Sequence, residues 1–172
     1  MMKGILMLSP DFATCDLLDN HETKPELALR VVEPMFKAYG RHARFCGPIE
    51  TLKVFEDNSL VREALASPGN GRVLVIDGGG SKRCALVGDQ LGALGVKNGW
   101  TGIVVWGCIR DSAVINQQAI GVRALNTHPL KSIKKGAGDR GIAVTFGGVT
   151  FTPGEWLYAD EDGVIVSKSA LT

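Results

Sequence analysis

The run Val73-Leu74-Val75-Ile76 limits what this chain can fold into more than any other segment. Four apolar residues with no polar residue alternating between them make a strand covered on both faces, as in a parallel sheet with layers packed above and below. A parallel neighbour requires a crossover long enough to hold a helix. The chain supplies one: Cys84 to Val87 is extended, Gly88-Asp89-Gln90-Leu91 opens an amphipathic stretch, and Gly102-Ile103-Val104-Val105-Trp106-Gly107 returns as a second apolar strand. The predicted class is α/β, a mixed sheet with glycine-rich turns.

Around this centre, residues 11 to 40 predict two helices. One covers Ala13 to Asn20, with Thr14 as its cap. The other covers Pro25 to Tyr39, with Leu27, Leu29, Val32 and Phe36 as an apolar stripe and Gly40 as its stop. Ala43 to Val54 is strand-like but interrupted at Gly47-Pro48, and Asp57 to Ala66 is a capped short helix. After Asp111 come a short helix, a strand at Val122 to Leu125, and a hairpin that pairs Trp156 to Ala159 with Val164 to Val166 about Asp162-Gly163.

A length of 172 residues fits a single domain, residues 1-172, in which 1-12 read as an N-terminal extension. Such a chain buries roughly 70% of the surface exposed by its unfolded form, so it folds without a disulfide or a structural metal. Lys and Arg total 19 against 18 for Asp and Glu, and a net charge of +1 provides no broad field for nucleic acid or an anionic membrane. The four cysteines form no CxxC pair and read as free thiols of a reducing compartment. The apolar run after Gly4 is too short for a signal-peptide core and no run reaches membrane-spanning length, so the expected location is cytoplasmic. Lys131, Lys134 and Lys135 have helical spacing without interleaved aromatics and read as a solvated face.

Chemistry concentrates at the two ends of the crossover. Asp89 sits where a strand gives way to a helix, and Arg110-Asp111 closes the returning strand, so both ends fall on one edge of the sheet. The free N–H groups of a helix start receive a carboxylate, a guanidinium grips the same anion, and a neighbouring carboxylate is a ligand for a hard cation. Taken singly, Asp89 and Asp111 also read as ordinary helix caps. Trp106, at the end of the same strand, reads either as a wall of the site or as core beside Val104 and Cys108. Asp77-Gly78-Gly79-Gly80 lacks the spacing of a dinucleotide loop and reads as a tight turn.

Gly71 to Ser81, Ala85-Leu86-Val87-Gly88-Asp89, Gly107 to Asp111, Gly154 to Asp160 and Phe55-Glu56-Asp57-Asn58 together resemble the family of the regulator of ribonuclease E activity A and the class II 4-hydroxy-4-methyl-2-oxoglutarate aldolases. The likeness runs from about Thr14 to the C-terminus. It implies an α/β fold, a compact mixed-sheet sandwich related to swivelling phosphohistidine domains, assembled as a homotrimer or hexamer with sites between subunits. It implies that Gly88, Asp89, Gln90 and Leu91 bind the pyruvate-like end of a keto acid, that Arg110 contacts that acid, and that Asp111 carries a divalent metal cation, Mg2+ or Mn2+. Asp89 and Arg110 would then be catalytic. The implied activity is a lyase that releases pyruvate from 4-hydroxy-4-methyl-2-oxoglutarate or related hydroxy-keto diacids, with oxaloacetate decarboxylation through the same enolate.

One residue departs from that pattern. Aldolase members usually place an acid three residues beyond the metal-binding Asp, where this chain has Val114, which would remove a support for the metal's waters. Members that act only as ribonuclease regulators typically lack the acid after the Arg, and this chain keeps Asp111. The alternative is a non-catalytic protein that binds a ribonuclease or an RNA helicase. Methyl transfer has no motif in the chain.

Overall fold

The computed structural model describes residues 10–172. The apolar run after Gly4 and most of the expected N-terminal extension, residues 1–9, lie outside the described residues. Phe12 does not stand apart from the fold: it is buried edge-on against Tyr158, with ring centroids 5.3 Å apart.

The first helix, α1 (Thr14–His21), begins on a long-range contact. Thr14 donates its backbone N–H and its hydroxyl to the Asp160 carboxylate at 2.6 and 2.8 Å, so a distant side chain caps α1 in place of Thr14 itself. The expected helix from Pro25 to Tyr39 does not form. A single 3-10 turn (Pro25–Leu27) ends at Ala28 in the left-handed region, and β1 (Arg30–Val31) and β2 (Lys37–Tyr39) follow. Pro34 is the reason. It has no N–H for a helical bond, its ring would strike the carbonyl four residues back, and it holds Glu33 extended. Val31 and Val32 also favour extended backbone, and Val32 gains burial on the sheet instead.

Then come β3 (Phe45–Lys53), α2 (Ser59–Ala66), β4 (Val73–Asp77), β5 (Ala85–Val87), α3 (Asp89–Lys97) and β6 (Gly102–Ile109). The chain continues through α4 (Ser112–Ile115), β7 (Gly121–Thr127), β8 (Asp139–Arg140), β9 (Val144–Phe146), β10 (Val149–Phe151), β11 (Trp156–Asp160) and β12 (Gly163–Ser167). Gly47-Pro48 does not interrupt β3. It marks where the strand changes partner, from antiparallel β11 over its first half to parallel β4 from Ile49 onward. A proline is tolerated where one ladder hands over to the next. The β11–β12 hairpin closes around Glu161-Asp162, with Asp160 opposite Gly163.

Among the described residues the main sheet has ten strands, ordered β1-β12-β11-β3-β4-β6-β7-β2, with β5 added to β6 and β8 to β3. Strands β3, β4, β6 and β7 run parallel at its centre, and antiparallel strands flank them. This is a mixed α/β fold built on one mixed sheet. On one face α2 and α3 bury Val61, Ala64, Leu65 and Leu91 against Leu74, Ile76, Ile103 and Val105. Each fully buried Leu or Val there contributes roughly 1.5–3 kcal/mol. On the other face the β9–β10 hairpin brings Val144, Phe146 and Phe151 onto Val73, Val75 and Val104. Strands β4 and β6 are therefore apolar on both sides, and the polar groups near them gather at their ends.

Candidate active site

Strands β5 and β6 are parallel and end side by side, and the chain turns into α3 after one and into α4 after the other. Ligands of open α/β sheets sit outside such carboxyl ends. Arg110 is fixed there by its own N–H, which donates to the Val87 carbonyl at 2.9 Å. Asp111 has left-handed backbone, φ +55°, and serves as the residue before α4. That turn returns its carboxylate toward the start of α3, where Oδ2 accepts the Asp89 N–H at 3.1 Å.

Gly88 makes this approach feasible. A Cβ on Gly88 would lie 2.8 Å from Asp111 Oδ2, closer than carbon and oxygen tolerate. With no side-chain cap at Gly88, the first turn of α3 keeps N–H groups that have no helical acceptor, those of Gln90 and Leu91 among them. Gln118 braces the turn from the far end of α4, donating Nε2 to the Asp89 carbonyl at 2.8 Å.

These groups open onto a cleft of about 130 Å³ that contains Gly88, Asp89, Gln90, Leu91, Arg110 and Asp111, all six residues expected from the sequence. Arg110 Nε stands 4.0 Å from Asp111 Oδ2, and the two side chains keep 40% and 39% of their exposure. The pair is loose, so most of the guanidinium donors remain available to an incoming anion. The cleft is also lined by residues the sequence did not assign to the site, among them Asn58, Arg62 of α2, Lys131 and Lys134. Four cations (Arg62, Arg110, Lys131, Lys134) face two carboxylates (Asp89, Asp111), a surplus of two positive charges.

The basic run was visible, but its helical spacing misled. Residues 131–135 are not helical; they bridge extended to Ala85 and Asp57 and pass along the cleft. Nothing in the sequence singles out Arg62. Trp106 does not border the cleft. It stacks on Phe146 beneath the β9–β10 hairpin, with centroids 5.4 Å apart and planes 11° from parallel, so its core reading holds. Val114 is exposed on α4.

Among the described residues no group of three or more His, Cys, Asp or Glu converges, which does not suit zinc. A Mg2+-like cation has different needs, since it keeps most of its waters and is bound through one or two carboxylates. Asp111, half-open with one oxygen held by the Asp89 amide, fits such an ion.

A family model described as RraA-like, Aldolase/RraA, matches residues 14–166. The chain belongs to the RraA-like family. Among relatives of this RraA-like chain, a protein of Aromatoleum aromaticum is 65% identical over 161 residues, covering 94% of this chain and 99% of its own length. One of Dechloromonas aromatica is 66% identical over the same span. Both carry names that assign them, provisionally, as 4-hydroxy-4-methyl-2-oxoglutarate aldolases. The RraA-like fold is shared with the RNA-processing inhibitor RraA from Thermus, at TM-score 0.85 and 42% identity over 91% of this chain and 93% of that one.

A structure from Geobacillus kaustophilus described as an S-adenosylmethionine:2-dimethylmenaquinone methyltransferase superposes at TM-score 0.87, with 48% identity over 93% of this chain and 97% of that one. In the RraA-like chain the turn after β4 is closed by its own packing. Asp77 Oδ1 accepts the Gly79 N–H at 2.9 Å, and Cβ atoms at Gly79 and Gly80 would run into the rings of Phe55 and Trp106.

Proposed function

We propose that this protein is an aldolase that cleaves 4-hydroxy-4-methyl-2-oxoglutarate or a related hydroxy-keto diacid, releasing pyruvate. The observation that carries the reading is the convergence of the open first turn of α3, the Arg110 guanidinium and the Asp111 carboxylate in one cleft, the first and last joined by the Asp89 N–H at 3.1 Å. The names of relatives at 65% and 66% identity support it.

The α3 amides bind the substrate carboxylate, and Arg110 grips that carboxylate and the adjoining keto oxygen with its planar fork. Asp111 would hold a divalent cation, Mg2+ or Mn2+, which supplies Lewis-acid polarisation of the keto group. Cleavage breaks the bond between C3 and C4. The C4 hydroxyl gives up its proton, its oxygen becomes the keto oxygen of one pyruvate, and the bonding pair passes to C3 and the keto oxygen as an enolate. The positive charge of Arg110 stabilises that enolate as it forms. A water held by Asp89 takes the hydroxyl proton and returns one to C3, completing the second pyruvate. Oxaloacetate decarboxylation requires the same enolate and belongs to the same proposal.

The cleft of about 130 Å³ is below the roughly 300 Å³ at which ligand pockets begin, so a neighbouring subunit would complete it. Exposed Leu130 and Ile133 beside it suit a subunit contact, and we place the single-domain chain in a homotrimer or hexamer. No helix among the described residues is long and apolar enough to cross a membrane. Its free cysteines suit the reducing cytoplasm.

Pyruvate release from a panel of hydroxy-keto diacids, with and without chelator, tests the reading. Metal-dependent release supports it, and no release from any of them overturns it. The likeness to the RNA-processing inhibitor favours one other function, binding of a ribonuclease or helicase partner, which would survive Asp111→Asn.

A further inference from the structure

Asp57 is buried at 1% exposure, and its carboxylate is divided between two tasks. Oδ1 accepts the backbone N–H and the hydroxyl of Ser59 at 2.9 and 2.7 Å, which caps α2. Oδ2 accepts the N–H groups of Lys135 and Ala137 at 2.8 and 3.2 Å, across 78 and 80 residues of sequence. The intervening Gly136 N–H donates to Ser59 Oγ at 3.1 Å. Three successive amides thus close around one Asp-Ser pair, a concave nest of the kind that holds anions, made possible by the left-handed backbone of Gly136 at φ +74°.

A helix cap needs only the Ser59 half of this arrangement. The other half holds the strap of residues 130–137, which β8 follows. Upstream the strap is tied by Ala85 N–H to the Leu130 carbonyl at 2.7 Å and by Ile133 N–H to the Glu56 carbonyl at 3.2 Å. Lys131 lies between those two ties and Lys134 between the second tie and the Asp57 nest, both on the cleft wall. Apart from Ser132 the strap is exposed, so little burial fixes its course. Its lysines face an ordering cost on binding unless the backbone beneath them is already held. The pyruvate-like end of a substrate occupies Arg110 and the α3 amides, so these lysines remain for a second anionic group.

We propose that Asp57 is a positioning residue: by clamping the downstream end of the strap it fixes Lys134 along the cleft beside Lys131, and so sets the preference of the site for keto acids that carry a second carboxylate. The inference rests on the reading of the cleft as a keto-acid site. Burial alone would raise the Asp57 carboxyl, but its hydrogen bonds outweigh that and bring it down to about 2, so the clamp stays charged at neutral pH.

Calorimetry with Mg2+ present compares 2-oxoglutarate, with two carboxylates, against pyruvate, with one. Wild type should bind 2-oxoglutarate more tightly. Asp57→Asn should cut that preference about tenfold, leave pyruvate affinity unchanged, and speed hydrogen exchange at the amides of Lys135, Gly136 and Ala137. Lys134→Ala should also cut the preference, and the double variant should lose no more than the larger single loss, because both changes remove one contact. If Asp57→Asn does not fold, Ser59→Ala, which frees the Gly136 amide, should shift the preference the same way by a smaller factor. Equal weakening of both ligands, additive losses, or a wild type without preference overturns the inference. Retained preference together with no pyruvate release from any hydroxy-keto diacid instead overturns the aldolase reading and leaves Asp57 in its role.

Discussion

The Asp111 carboxylate receives the backbone N–H of Asp89 at 3.1 Å across 22 residues of sequence, joining the end of β6 to the start of α3. One carboxylate oxygen thereby organises the first turn of α3. The contact depends on Gly88, because any side chain there would occupy the space that Asp111 fills.

Gly88→Ala should therefore fold and lose activity. Its Cβ would displace Asp111 Oδ2 from 2.8 Å, and the neighbouring Arg110 Cγ, at 3.5 Å, leaves little room for adjustment. We expect pyruvate release to fall by roughly a hundredfold, with a melting temperature within a few degrees of wild type. Wild-type turnover in this variant would show that the close approach has no part in catalysis.

Asp111→Asn should keep the fold, since an amide oxygen can still accept the Asp89 N–H, and should lose metal-dependent activity. A neutral amide is a poor ligand for a cation that gives up its waters reluctantly. Titrating Mn2+ against activity and by calorimetry tests this. Unchanged turnover at low metal would exclude Asp111 as the metal ligand.

Arg110→Lys should be severely impaired although charge is conserved. An ammonium cannot reproduce planar two-pronged contact with a carboxylate and its neighbouring keto oxygen. The signature is a fall in both kcat and kcat/KM for oxaloacetate, and kinetics like those of wild type would count against the fork.

Acid should destabilise the protein through Asp57 and Asp160. Burial would raise both carboxyls, but hydrogen bonds prevail: Asp57 falls from 3.8 to about 2, and Asp160, bound by Thr14 and by the amides of Asp162 and Gly163, is also lowered. A native value below the unfolded one gives stability that is complete above the unfolded value and is lost as pH falls through the native one. Denaturant melts should therefore weaken from about pH 4 toward about pH 2. Asp160→Asn should flatten that dependence, and an unchanged slope would assign acid sensitivity to other groups.

The apolar runs of β4 and β6 and the Gly88–Asp111 crossover were legible in the chain, because continuous hydrophobicity and helix-start chemistry are local properties. So were all six residues that meet at the sheet edge, since helix and strand lengths alone return Arg110-Asp111 to the level of Asp89. From Pro25 to Tyr39 the apolar spacing suits a helix that Pro34 forbids, and what replaces it, two edge strands, is decided by the neighbouring strands β7 and β12. Arg62 reaches the cleft on α2, and Lys131 and Lys134 reach it on a strap tied to residues far away in sequence, by Ala85 and Glu56 and by the Asp57 carboxylate, which binds amides 78 and 80 residues away. Contacts over such distances are set by how the layers pack, and packing leaves no periodic trace in the residues that it brings together.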